Sequence, residues 1–217
     1  MLHSLLAFIA LGLLATAAPV EERAADACTD VIVFFARGTT EAAPIGSLVG
    51  PPFQTALEAA LDGKTLTFTG VNYPADIAGF LEGGDPAGST TMAQDLASAA
   101  ASCPNAAIVS SGYSQGGQLV HNSAKQLSAS VAARIKAVVI FGDPDDGEAV
   151  QGISSSKTLV ICHVGDDICL HGDLVLEPHL TYGADTPTAA AFVARPGLKS
   201  KSIMSRQSVR VCMNIVK

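Results

Sequence analysis

Residues 110–120 read SSGYSQGGQLV. Within them Gly112-Tyr113-Ser114-Gln115-Gly116 sets one serine between two glycines. The pentad falls where an apolar strand-like run, NAAIVSSGY (105–113), gives way to a helix-like segment, QGGQLVHNSAKQLSA (115–129). G-x-S-x-G between a strand and a helix is a sharp turn that lifts a serine hydroxyl clear of a sheet's end. So tight a turn forces the serine into sparsely populated backbone angles. Side chains two positions to either side would strike neighbouring backbone, so both positions are glycine. The backbone N–H of Gln115 is then free to meet a developing oxyanion. The same pentapeptide also occurs as a glycine-rich turn with a serine cap, and the strand and helix around it favour the catalytic reading.

Outward from this turn, strand-like and helix-like segments alternate. DVIVFFA (30–36) is a buried strand, and SLVGPPFQTALEAAL (47–61) has apolar residues at helical spacing. KTLTFTGV (64–71) alternates as a strand, and Gly83-Gly84-Asp85-Pro86 reads as a loop. Ser89 or Thr90 then caps a helix that ends before Pro104. IKAVVIFG (135–142) and KTLVICHVG (157–165) supply further strands, and TPTAAAFVA (186–194) supplies a last helix. Five strands alternating with helices imply a three-layer α/β sandwich: a parallel sheet with helices on both faces. The pattern is α/β-hydrolase-like and has no long insertion to form a lid. In such sheets sites lie at the carboxyl ends of the strands.

The chain has 217 residues, 48% of them hydrophobic and 15% charged, which suits one domain with a sizeable core and excludes disorder for the body. The formal net charge of −7 leaves no electrostatic footprint for nucleic acid. Six of the 13 basic residues (Arg195, Lys199, Lys201, Arg206, Arg210, Lys217) lie from Arg195 onward with no acidic residue, so 7 basic and 20 acidic residues remain before them. Residues 195–217 are thus a different kind of sequence, a disordered tail or the product of a mistaken gene model.

Residues 1–17 have the apolar run and the Ala15-Thr16-Ala17 cleavage pattern of a secretory signal, and a short propeptide over 18–27 is expected. The run is short for a membrane span, so the expectation is secretion without stable membrane insertion. Five cysteines suit that compartment. Cys162 and Cys169 could staple a small loop, and Cys28 and Cys103 would close a long one, worth about 2.5 and about 4 kcal/mol. Cys212 is the orphan.

A serine nucleophile needs a base, and the base needs an orienting carboxylate. In this fold they follow in the order serine, acid, histidine. His171 and His179 both come after the last strand. His121, on the helix after Ser114, is expected at the surface or packed, and His163 in a core or sheet-edge role. Asp166 and Asp167 follow a strand end inside the Cys162–Cys169 loop. Asp143, Asp145 and Asp146 follow another strand end, where turn residues are common. Spacing alone leaves Asp166 against Asp167, and His179 against His171, undecided.

GYSQGG around Ser114, CHVGDDIC (162–169) and EPHLTYG (177–183) resemble the cutinases, small secreted serine esterases of fungi. ARGTTE (36–41), VNYPAD (71–76) and FLEGGDPAGS (80–89) fit as well. The resemblance runs from about Cys28 to Ala194, so a single esterase domain is expected over 28–194. It implies Ser114 as nucleophile, His179 as base and Asp166 as acid. It also implies Thr39 and Gln115 as oxyanion donors and the pairings Cys28–Cys103 and Cys162–Cys169. Thr39 stands where some members have serine and keeps both the hydroxyl and the N–H.

The expected activity is hydrolysis of carboxylic esters through an acyl-enzyme, on insoluble cutin and on short-chain esters, by a monomer with no metal and no cofactor. The rate should fall in acid as the base protonates. An apolar rim of Ile77, Phe80, Leu81, Val175, Leu176 and Leu180 would face the polymer. The alternative is an acetylxylan esterase, which would favour a small acyl pocket and a polar rim. A complete serine, acid and base set argues against a non-catalytic binder of apolar surfaces.

Overall fold

Strand β1 (Val31–Ala36) is buried at all six positions. Ile32, Phe34 and Ala36 enter one apolar core, and Val31, Val33 and Phe35 enter the other. Side chains alternate across a strand, so a strand apolar at every position must be covered on both faces. The computed structural model describes residues 28–196 and supplies both covers. The signal and propeptide readings, and the tail from residue 197 with Cys212, lie outside the described residues.

After β1 come α1 (Gly50–Ala60), β2 (Leu66–Gly70), α2 (Ile77–Leu81), α3 (Pro86–Ser102), β3 (Ala107–Tyr113), α4 (Gln115–Ala124), α5 (Ala129–Arg134), β4 (Ile135–Phe141), β5 (Thr158–Ile161) and α6 (Thr186–Ala194). The strands pair in the order β2-β1-β3-β4-β5, all parallel. Met92 and Leu96 of α3 pack with Leu119 and Val120 of α4 on one face. Phe53 and Leu57 of α1 pack with Ala189 and Val193 of α6 on the other. A fully buried leucine or phenylalanine contributes about 2 kcal/mol, so these two apolar layers dominate the fold's stability. The architecture is the three-layer α/β sandwich the sequence predicts.

The largest departures from the sequence expectation each have a local reason. Helix α3 begins at Pro86 rather than after Ser89: Asp85 accepts the Gly88 N–H as its cap, and Pro86 takes the first turn, where no N–H is needed. Residues 77–81, read above as part of the apolar rim, form α2 because Asp76 accepts the Gly79 N–H at 2.8 Å. The helix expected over 115–129 stops at Ala124, and Ser128 caps a separate α5 by accepting from Val131 N. Strand β5 ends at Ile161 although apolar residues continue; Gly165, at φ +86°, turns the chain away from the sheet.

Candidate active site

Ser114 stands between the last residue of β3 and the first of α4, with φ 56° and ψ −124°. The glycines on either side are required by contact. A Cβ on Gly112 would lie 2.1 Å from the Gly116 carbonyl oxygen, and one on Gly116 would lie 2.0 Å from that of Ala36 in β1. The Ser114 N–H donates to the Phe141 carbonyl at 3.0 Å, tying the elbow to β4. Gln115 is the first residue of α4, so its N–H has no acceptor within the helix.

Asp166 and His179 lie beyond β5, on chain organised by short 3-10 turns (168–170, 177–180 and 182–185). The Cys162–Cys169 bridge closes around Asp166, and the Cys28–Cys103 bridge is formed at the amino ends of β1 and β3. Asp166 is 1% exposed and His179 2%. His179 Nδ1 lies 2.8 Å from Asp166 Oδ2. The same oxygen accepts from the Tyr182 hydroxyl at 2.6 Å, and Oδ1 accepts from Ile168 N at 3.1 Å. Burial, reinforced by the bond to Asp166, holds the Tyr182 phenol far above its ordinary pKa, so it remains a donor. Tyr113 stacks on the His179 ring and donates to its backbone carbonyl at 2.8 Å. His179 Nε2 is buried with no hydrogen-bond partner in the protein. His179 and Ser114 line the same cleft, a cavity of about 720 Å³.

Thr39 lines the cleft as well, in the loop after β1. Its Oγ1 accepts from Gln115 Nε2 at 3.1 Å, which leaves the Thr39 hydroxyl hydrogen free to donate. The Gln115 amide also donates to the Asp76 carbonyl at 2.6 Å, joining this loop to α2. Sequence reasoning passed over Glu41 as a functional residue. Its carboxylate accepts from the Gly38, Ser47 and Leu48 amides, each at 2.9 Å, and so shapes the loop that carries Thr39. Arg37 braces the same loop from a buried position, donating to the Glu41 and Tyr73 carbonyls. An acidic residue two places after Thr39 in ARGTTE was the available signal.

Five of the six expected rim residues, Ile77, Phe80, Leu81, Val175 and Leu180, line the cleft. Leu176 does not; it is exposed at the start of the turn 177–180, outside the lining. The undecided pairs separate cleanly. Asp167 accepts from Leu174 N at 2.9 Å within its own loop. His171 adopts φ 64° and sits 2.8 Å from the Pro144 carbonyl oxygen, away from His179. His121 is buried and paired with buried Asp143 at 2.9 Å, so it is packed rather than at the surface, and Asp143 is more than a turn residue. His121, Asp143 and Asp145 bring possible ligand atoms within 4.8 Å of one another. Both Asp143 oxygens already accept protein donors, His121 and the Asp145 N–H, so the group is a tie between α4 and the end of β4.

An open parallel sheet, a strained serine elbow and a buried His–Asp pair on one cleft define a lidless α/β-hydrolase-type protein. Residues 27–196 match the cutinase family model. The cutinase of Botryotinia fuckeliana is 56% identical over 193 residues, covering 89% of this chain and 96% of that one. That of Monilinia fructicola is 57% identical over 191 residues, covering 88% and 94%. The chain belongs to the cutinase family, whose members are carboxylic ester hydrolases. Among solved structures, Trichoderma reesei cutinase in complex with a C11Y4 phosphonate inhibitor is similar at TM-score 0.74 and 49% identity, covering 76% of this chain and 75% of that one. An acetylxylan esterase is similar at TM-score 0.62 and 25% identity, covering 76% and 97%.

Proposed function

We propose that this protein hydrolyses the ester bonds of cutin through an acyl-enzyme formed on Ser114. The observation that carries this reading is the state of the His179 ring. Nδ1 is committed to Asp166, while Nε2 is buried, unpartnered and on the cleft that Ser114 lines. In the proposed reaction Nε2 takes the Ser114 proton as Oγ attacks the ester carbonyl. Asp166 fixes the imidazole tautomer and stabilises the imidazolium. The Thr39 hydroxyl and the Gln115 N–H face the oxyanion; one such donor is worth roughly 3 kcal/mol. His179 then protonates the leaving alkoxide, and water repeats the sequence on the acyl-enzyme.

Exposed Ile77, Leu81, Val175 and Leu180 around the cleft favour a polyester over a sugar polymer, so cutin is preferred to acetylated xylan as substrate. The same side chains suit contact with an insoluble surface by a monomer. Two disulfides suit folding in an oxidising compartment. Among the described residues no helix is long and apolar enough to cross a membrane. Secretion with cleavage after Ala17, and a self-sufficient domain over 28–194, complete the proposal. Finding the amino terminus of the secreted protein still at Met1 would reject the cleavage.

The decisive experiment is p-nitrophenyl butyrate hydrolysis by the full chain, with Ser114→Ala alongside. A loss of about a million-fold in kcat is expected. Substantial turnover by the alanine variant would refute Ser114 as nucleophile. Faster turnover of acetate than butyrate esters, with release of acetate from xylan, would favour the esterase of the sugar polymer.

A further inference from the structure

His163 was expected in a strand and lies just past one. Its surroundings repeat, one layer out, the arrangement around His179. Nε2 of His163 is 2.8 Å from Asp185 Oδ2. Nδ1 is 2.8 Å from the carbonyl oxygen of Pro178, the residue before His179. Thr181 Oγ1 donates to that same carbonyl at 3.0 Å and stands 3.2 Å from His163 Nδ1. The His163 backbone N–H donates to the Tyr182 hydroxyl at 2.9 Å, and its ring stacks on the Tyr182 ring with centroids 4.0 Å apart. Tyr182 in turn donates to Asp166.

The acceptors favour a doubly protonated ring. A backbone carbonyl only accepts, so Nδ1 carries a hydrogen. An ionised carboxylate only accepts, so Nε2 carries one too. Below its folded pKa the ring is an imidazolium and donates to both. The negative charges facing it are Asp185, from the turn 182–185, and Asp166, from the disulfide loop. Burial opposes the charge, but the Pro178 carbonyl and Asp185 outweigh it and raise the pKa.

We propose that His163, oriented by Asp185, is a positioning residue for the base: it fixes the Pro178–His179 segment and holds Tyr182 against Asp166. The side chains of His163 and Asp185 are 26% and 31% exposed. A pair so exposed adds little to global stability, and both of its outward links end next to the base and the acid. The inference rests on the roles proposed above for Ser114, His179 and Asp166.

The test uses the full chain and three variants: His163→Ala, His163→Asn and Asp185→Asn. Active sites are counted with a p-nitrophenyl phosphonate ester, so kcat refers to reactive protein only. His163→Ala should lower kcat on p-nitrophenyl butyrate by about 10- to 100-fold, as expected for a misplaced catalytic group. KM should stay within about 2-fold, because His163 does not touch the cleft. Asparagine keeps a donor for Pro178 and should restore most of kcat, and Asp185→Asn should fall between. A His163→Ala kcat within about 2-fold of the parent, or an asparagine variant no better than alanine, overturns the proposal. If His163→Ala does not fold, an Asp185→Asn variant with full kcat overturns it equally. A parent protein that fails to react with the phosphonate would instead refute the serine mechanism, a separate outcome.

Discussion

Between Tyr113 and Gln115 the chain makes one turn fixed by backbone contact; between Cys162 and Thr186 it makes several short turns fixed by side chains. Ser114 is held because Gly112 and Gly116 let β3, α4 and β1 approach to distances that exclude a Cβ. Asp166 and His179 are held by a disulfide, by Tyr182, Tyr113 and Ile168, and by the His163–Asp185 pair beyond them. The first half of the site is held by backbone contact and has no room for added atoms. The second is held by a disulfide and by groups that titrate. In the proposed mechanism the nucleophile therefore sits on the rigid frame, and the groups that move protons sit where their surroundings can be tuned.

Matched glycine substitutions give the largest expected contrast. Gly116→Ala drives a Cβ into the Ala36 carbonyl, backbone against backbone, and should cost more than about 4 kcal/mol, most of a typical domain's stability. Gly165, in the second half, sits at φ +86°, but the Cβ of Gly165→Ala would meet nothing nearer than Pro178 Cγ at 3.7 Å. It should cost only the conformational penalty, about 1 to 2 kcal/mol. Urea unfolding measures both, and equal losses would break the distinction.

Removing each disulfide sharpens it. Serine at Cys28 and Cys103 opens a bridge at the amino ends of the strands, whose cysteines are 75 positions apart in sequence. The expected loss is about 4 kcal/mol, with kcat of the folded protein within about 2-fold of the parent. Serine at Cys162 and Cys169 should cost less stability, about 2.5 kcal/mol, yet lower kcat at least about tenfold, because Asp166 lies inside that loop. A short-bridge variant with full kcat would mean that the hydrogen bonds alone position the acid.

The same division governs what was legible in the sequence. An elbow is a local object: its glycines, serine and flanking periodicities are contiguous, and its steric logic can be read from five residues. Alternating apolar runs fixed the sheet for the same reason. Asp166 and His179 are chosen over Asp167 and His171 by contacts between residues distant in sequence, which spacing cannot express; the family resemblance pointed to them instead. Strand β5 was over-extended because LVICHV stays apolar past the point where Gly165 turns the chain aside. The start of α3 was missed because Asp85 and Pro86 read equally well as a loop and as a cap followed by a first turn. His163 works through a backbone carbonyl and amide that leave no pattern of residue types, and Glu41 left only its place two residues after Thr39.

A smaller effect is expected at the rim, where Leu180 lines the cleft and Leu176 does not. Leu180→Gln should slow release of monomers from cutin several-fold more than it slows p-nitrophenyl butyrate hydrolysis, a difference of about 1 kcal/mol for one side chain's apolar contact. Leu176→Gln should affect the two substrates alike. A polymer-selective defect at both positions would extend the contact surface beyond the cleft.

The smallest effect separates the halves by pH alone. His163 has a raised pKa in the folded protein, against 6.5 ordinarily, so its contribution is fully present below 6.5 and is lost as pH rises through the folded value. The loop around His179 should therefore loosen in alkali while the elbow, held by backbone contacts that do not titrate, does not. Native-state hydrogen exchange can read both. The His179 amide donates to the Leu176 carbonyl at 3.0 Å, and the Ser114 amide to the Phe141 carbonyl at 3.0 Å. As pH rises from below 6.5 through the folded value, the protection factor of the His179 amide should fall while that of Ser114 holds steady. In His163→Asn the pH dependence at His179 should disappear. A parallel fall at both amides in the parent protein would mean that alkali weakens the whole sheet, and that the two halves share one restraint after all.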